Sequence, residues 1–274
     1  MSNRLQRIRS GPNTEACGGA RKLYPYAVPL ALLLAWEAAG HAFGMRPDVL
    51  PTPSRIFLEI WENASEWQNH LLRTSSETLL ALMTAIACAV PAGLMAAASQ
   101  RFRRGAAVIV RSAIGLPLIA AVPVLVFWLG LGAPARMAAG CWFAVWPLLR
   151  GIIKGVASVP DAMSEWLSST GAGFGARLSK VYLPAAAPFF LRSLRPAFSL
   201  ALSGVLVVEF LGADSGLGYM LLAGAATMNA PVLLASLSVV GLMAAAACYI
   251  IHVSERFILR GRLRYRWGGR SHED

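Results

Sequence analysis

The chain has 274 residues, 56% of them hydrophobic and 14% charged. Soluble domains carry roughly 25% charged residues, so most of this chain does not face water. The formal charge of +11 gathers at the ends of apolar runs, with no soluble basic domain to carry it, which argues against a nucleic-acid-binding module. The cysteines (Cys17, Cys88, Cys141, Cys248) and the four histidines show no paired spacing, which argues against a disulfide framework and a metal site.

Residues 1–22 form a polar, basic leader with Arg4, Arg7, Arg9, Arg21 and Lys22. The first apolar run, about Tyr24 to Phe43, is longer than the 7–15 residues of a signal-peptide core, and an uncleaved helix is favoured over that rival. LPTPSR (50–55) follows, where Pro51 and Pro53 hold the chain extended, then an amphipathic stretch from Ile56 to Leu72. A second run covers Thr78 to Ala98 and ends at Arg101, Arg103 and Arg104. The third, Ile114 to Leu131, contains Pro117 and Pro123, which membrane helices tolerate when neighbours re-satisfy the backbone. The turn GLGAPAR (130–136) leads to a fourth run, Met137 to Ile153. A polar segment from Lys154 to Pro184 separates it from a fifth, Ala186 to Leu211. GADSGLGY (212–219) precedes a sixth, Val232 to Val253, and a basic tail occupies 255–274. Runs of about twenty residues suffice for a helix to cross a ~30 Å hydrocarbon core. The expectation is an all-α integral membrane protein with about six spans filling residues 23–254.

Charge sets the orientation. With both termini in the cytoplasm, all Lys and Arg except Arg46, Arg55, Arg73 and Arg136 fall on the cytoplasmic side. LPTPSR and GADSGLGY then face outward, and the segment 154–184 faces the cytoplasm. Arg192, Arg195, Glu37 and Glu209 sit close to apolar runs. Snorkelling to the interface is the plain reading for the arginines. Glu209, near the outer end of the fifth run, is a candidate to border a translocation path. The tail arginines, Arg256 to Arg270, either attract anionic headgroups or simply hold the last helix end in the cytoplasm.

No GxxxxGK[ST], GxSxG or HExxH is present, so the chain has neither a nucleotide-binding loop nor a recognisable catalytic set. The cytoplasmic segment does have architecture. Asp161, after Pro160, suits a helix N-cap, and Asp161 to Thr170 suffices for two to three turns. Gly171 then supplies the left-handed residue that ends a helix. A second helix is expected over Ala176 to Tyr182, limited by Pro184. The plain alternative is an amphipathic interfacial connector.

This segment resembles the cytoplasmic EAA loop of ABC importer permeases. Glu165 matches the Glu, Gly171 the Gly, and Leu183-Pro184 the closing pair. Trp166 and Leu167 replace the two alanines, Ala172 follows the Gly, and Gly173 and Gly175 stand where bulkier residues are usual. LPTPSR, the proline-containing third run up to LGLG (129–132), and VVEFLGADSGLGYML (207–221) are similar to segments of the nitrate/sulfonate/taurine-type permeases.

The resemblance implies a type I ABC importer permease-like (MetI-like) bundle in the bacterial inner membrane. It implies a dimer of such chains, identical or paired, with cytoplasmic ABC ATPase subunits that use ATP and Mg²⁺, the chain itself holding no cofactor. A periplasmic or lipid-anchored solute-binding protein completes the set. Glu165, Trp166, Leu167, Gly171, Ala172, Leu183 and Pro184 would form the ATPase-coupling loop. Glu209, Gly212, Ser215, Gly216, Gly218 and Tyr219 would border the pathway or the outer loop. An ion-coupled secondary transporter is the alternative, though the acids of this chain sit at span ends rather than mid-span.

Overall fold

The computed structural model describes residues 20–42, 50–97, 99–115, 117–160, 162, 163, 166, 169, 171 and 173–267. The leader up to residue 19 and the last seven residues lie outside these. The described elements are helical. They are α1 (Ala20–Ala42), α2 (Pro53–Glu62), α3 (Ala64–Leu94), α4 (Gln100–Gly115), α5 (Val122–Leu129), α6 (Ala133–Ala157), α7 (Phe174–Phe210), α8 (Leu217–Ala226) and α9 (Ala230–Trp267).

By length and apolarity α3, α7 and α9 can each cross a membrane, and α4 with the apolar residues up to Leu129 makes a fourth if the bent pair is one span. α6 sits between α3 and α7 and forms the centre of the bundle. Its approach to α7 is set by small residues. A Cβ on Gly155 would overlap the Ala186 backbone, one on Gly151 would meet Ser193 Oγ at 2.7 Å, and one on Gly204 would meet the Ala139 carbonyl at 2.6 Å. Lipid offers no hydrophobic drive for helix association, so such close backbone packing is what holds spans together. Leu82, Ala85, Ala89, Leu148, Ile152, Phe198 and Leu202 fill the core between these helices. Gly204→Val is therefore expected to lower the stability of the purified chain by about 1–3 kcal/mol through overpacking, read as an earlier thermal transition in detergent.

Four sequence expectations need correction. The amphipathic stretch Ile56 to Leu72 is not one element. α2 starts with Pro53 in its first turn, where the missing N–H costs nothing, and ends at Asn63, whose side chain turns back to the Glu59 carbonyl. The remainder belongs to α3 and continues into the second span. The third run is not one straight helix. Pro117, with ψ near 97°, is extended, and the helices on either side of it differ in direction by 90°.

Pro184 does not end the second arm of the segment between α6 and α7 either. α7 runs unbroken from Phe174 to Phe210, and its backbone widens to a π-helix over Leu178–Tyr182, just ahead of the proline. That widening eases the conflict between the Pro184 ring and the preceding turn. Finally, α9 does not stop at Val253 but extends to Trp267, carrying the first tail arginines on a helix. Val240, Met243 and Ala247 of this helix pack on the core, but only 11% of its most apolar stretch is buried, so its other face is left to lipid or to another chain.

The two loops expected outside lie at one end of the bundle. Ile56 and Trp67 share a buried cluster with Leu217 and Met220. Glu37 of α1 accepts hydrogen bonds from the Ser54 backbone N–H at 3.0 Å and from Ser54 Oγ at 2.6 Å. That carboxylate thus fixes LPTPSR against α1. At the opposite end, Phe174 and Leu178 line one cavity with Leu94 and Met95 at the α3 terminus.

Candidate functional site

Two constellations stand at the two ends of α7. The first is the hook between α6 and α7. α6 closes at Ala157, where Ser158 Oγ donates to the Gly155 carbonyl at 2.7 Å and Val159 turns inward, 8% exposed. The Met163 N–H reaches the Pro160 carbonyl at 3.0 Å, and Ala162, Met163, Trp166 and Ser169 are helical. Glu165, Leu167 and Ala172 lie outside the described residues.

Gly171 has φ +71°, the left-handed conformation expected of it, and among the described residues nothing approaches within 4 Å of the position of a Cβ there. The turn is sterically open but conformationally demanding. Past it, Tyr182 is buried and packs into the core with Val159, so both feet of the hook are anchored. The hook itself displays apolar side chains. Met163, Trp166, Phe174 and Leu183 are all exposed, as is Pro184.

The second constellation joins α3, α6, α7 and the loop before α8. Glu77 and Arg136 form a bidentate pair, with Arg136 Nη2 donating to Glu77 Oε1 at 2.8 Å and Nε to Oε2 at 2.5 Å. Arg136 is 1% exposed and Glu77 7%. Glu209, fully buried, accepts from Thr74 Oγ1 at 2.8 Å and from the Gly218 backbone N–H at 2.8 Å. The same Thr74 hydroxyl accepts the Leu217 N–H at 2.9 Å, so its donor and acceptor capacities are both used. His70 Nδ1 accepts the Gly216 N–H at 2.9 Å and its ring stacks on Tyr219 at 5.8 Å.

Glycine is required here by proximity. Gly216 has φ +115°, and a Cβ on it would overlap the Glu209 carboxylate. A Cβ on Gly218 would meet Glu209 Cβ at 2.6 Å. At the surface, Arg73 stands 3.7 Å from Asp214 and 3.6 Å from Glu77. The Asp214 backbone N–H, the Ser215 hydroxyl and Arg73 hold the Asp214 carboxyl below the usual carboxylate range.

The outer site residues expected from sequence therefore fall into two groups. Glu209, Gly216, Gly218 and Tyr219 are locked into one clamp. Gly212, with φ +133°, turns the chain after α7, and Ser215 stays at the loop surface with Asp214. Glu209 sits inside the packing of its own chain. Arg192 and Arg195, expected to snorkel, both lean on Glu255 of α9, Arg195 at 2.7 Å and Arg192 at 3.7 Å. Thr74, Glu77, His70 and Arg136 were not singled out as site residues. The available signal was a Glu and an Arg at the outer ends of two apolar runs, each needing a counter-charge.

The family described as "Binding-protein-dependent transport system inner membrane component" matches residues 89–264, more than half of the chain. The chain belongs to this family. The match begins inside α3 and takes in the hook, Arg136, Glu209 and the loop before α8. Among similar proteins is the taurine transport system permease protein TauC of Escherichia coli, 26% identical over 222 residues, covering 78% of this chain and 80% of the relative. The putative aliphatic sulfonates transport permease protein SsuC of Bacillus subtilis is 23% identical over 260 residues, covering 94% and 93%. The formylaminopyrimidine transport permease protein ThiX of Halalkalibacterium halodurans is 27% identical over 198 residues, covering 72% and 79%. This permease is an integral inner-membrane component of a binding-protein-dependent importer of the ABC type, a transporter subunit rather than an enzyme. The ion-coupled alternative is set aside by that membership.

Proposed function

We propose that this permease is driven by separate ATPase subunits that grip the hook, which projects into the cytoplasm. The observation that carries this reading is the continuity of α7. Its first turn belongs to the hook, and its last turn holds Glu209 in the outer clamp. At about 1.5 Å per residue the helix is roughly 55 Å long. A push on the hook is thereby delivered to the loop on the far side, and a helix transmits displacement that a flexible loop would absorb. The exposed Met163, Trp166 and Phe174 offer an apolar surface for a partner to enclose. Glu165 adds a polar contact, and Gly171 sets the angle between the two arms.

Two copies of the chain enclose the pathway, a solute-binding protein docks on the outer face around Asp214 and Ser215, and ATP and Mg²⁺ stay with the motor. Closure of the ATPases opens the pathway outward, and hydrolysis resets it. The cargo is a small polar solute, and the taurine and sulfonate relatives favour an organic anion of the sulfonate type. The test is co-purification with the cognate ATPase, then ATP hydrolysis in liposomes. Hydrolysis raised by the loaded binding protein supports the reading. Solute uptake by the permease with no ATPase present overturns it.

A further inference from the structure

A half-open cavity of about 630 Å³ lies between the α4–α5 bend, α6 and α7, and its lining changes character along the bundle axis. Arg150 and Lys154, one turn apart on α6, and Arg192 on α7 stand towards the hook end. Trp146 and Leu200 stand one to two turns further towards the bilayer centre, and Ile114 and Leu118 of the bend add apolar wall. Arg192 shares Glu255 with Arg195, whereas among the described residues neither Arg150 nor Lys154 has an acidic partner. The outer cations Arg73 and Arg136, by contrast, both lie beside acids.

Depth fixes what this arrangement meets. Arg150 lies about 25 Å along α6 from Ala133, and Arg192 about 27 Å along α7 from Phe210, at 1.5 Å per residue. With the outer clamp at one surface of a ~30 Å hydrocarbon core, these cations stand at the opposite headgroup level. A small polar solute would leave the apolar wall unused. An amphiphile with its anionic end at the cations and its chains towards the midplane uses both. That is the orientation of a lipid in the cytoplasmic leaflet, where anionic headgroups are drawn to basic groups near the surface.

We infer that this cavity is a binding site for an anionic phospholipid of the cytoplasmic leaflet, its phosphate held by Arg150, Lys154 and Arg192 and its acyl chain against Trp146 and Leu200. The inference rests on the cytoplasmic placement of the hook and not on how the importer is powered. Occupied, the lipid would fill the space between the α4–α5 bend and α7.

Brominated acyl chains quench tryptophan at close range, so Trp146 reports the occupant directly. The full chain is reconstituted in phosphatidylcholine with increasing brominated phosphatidylglycerol, or with brominated phosphatidylcholine, and the Trp146 share is taken as the difference from Trp146→Phe. The expected result is a preference for phosphatidylglycerol on the order of tenfold for the Trp146 component, falling to near onefold in Arg150→Gln/Lys154→Gln. Lys180→Gln/Arg256→Gln, which removes cytoplasmic charge away from the cavity, keeps the preference. Equal quenching by the two lipids would overturn the inference, as would a preference that survives Arg150→Gln/Lys154→Gln or is lost equally with Lys180→Gln/Arg256→Gln. Relief of quenching by millimolar taurine would assign the cavity to a soluble anion instead. Uptake by the complete transporter, measured on the same variants, judges the importer reading separately.

Discussion

Replacing Arg136 by Ala is expected to destabilise the permease by about 3 kcal/mol, because it leaves the buried Glu77 carboxylate without its bidentate partner. Breaking a buried pair from one side costs about 3–5 kcal/mol. The low end applies because Arg73, itself partly exposed, remains 3.6 Å from Glu77. The double replacement Arg136→Met/Glu77→Leu should recover most of the loss, since exchanging both charges for packed apolar groups is often neutral. Unfolding curves of the purified chain in detergent measure all three forms. Equal destabilisation by the single and double variants would mean that packing, and not the unpaired charge, dominates. The pair bridges α3 and α6 beside the Glu209 clamp, so the single variant should also weaken capture of the loaded binding protein.

Gly171→Val is the second large effect, and it should spare the fold. No atom of the described residues lies near the added Cβ, so the cost comes from φ +71°, about 1–3 kcal/mol for a β-branched residue. The turn relieves that strain by changing the angle between the arms. Membrane insertion and thermal stability should be close to normal, ATP hydrolysis by the assembled transporter should persist, and solute uptake should fall at least tenfold. Gly171→Asn is the control, because Asn visits the left-handed region with its short polar side chain, and it should keep most of the uptake. Normal uptake in Gly171→Val would show that the angle of the hook carries no force.

The elements most legible in the sequence were those written in composition. Runs of apolar residues marked the helices of the bundle, and Gly171 was identifiable because a polar helix followed by Gly needs a left-handed stop. Hydropathy reports burial in lipid but not direction. The run through Pro117 therefore read as one span while the backbone turns by 90°. Pro184 misled in the opposite sense. A proline penalises the turn before it, and a single π-helical turn in α7 absorbs that penalty. The outer clamp was the least legible part. Thr74 reaches Glu209 across 135 positions and Arg136 reaches Glu77 across 59, and no local pattern encodes pairings that packing of α3, α6 and α7 creates. Glu209 stood out by its place at the outer end of an apolar run, and the glycines after it by the resemblance of their segment to a known one.

Coupling of the kind proposed requires that the hook face the cytoplasm and be held there by a motor subunit. Trp166→Cys and Ser215→Cys, each introduced alone after Cys17, Cys88, Cys141 and Cys248 are replaced by Ser, can be labelled with a membrane-impermeant maleimide. The prediction is that Ser215→Cys is labelled in intact spheroplasts and Trp166→Cys only in inside-out vesicles, with labelling at Trp166→Cys suppressed when the ATPase is bound. Labelling of Trp166→Cys from the outside, or labelling indifferent to the ATPase, would mean that the hook is not the cytoplasmic grip of a motor.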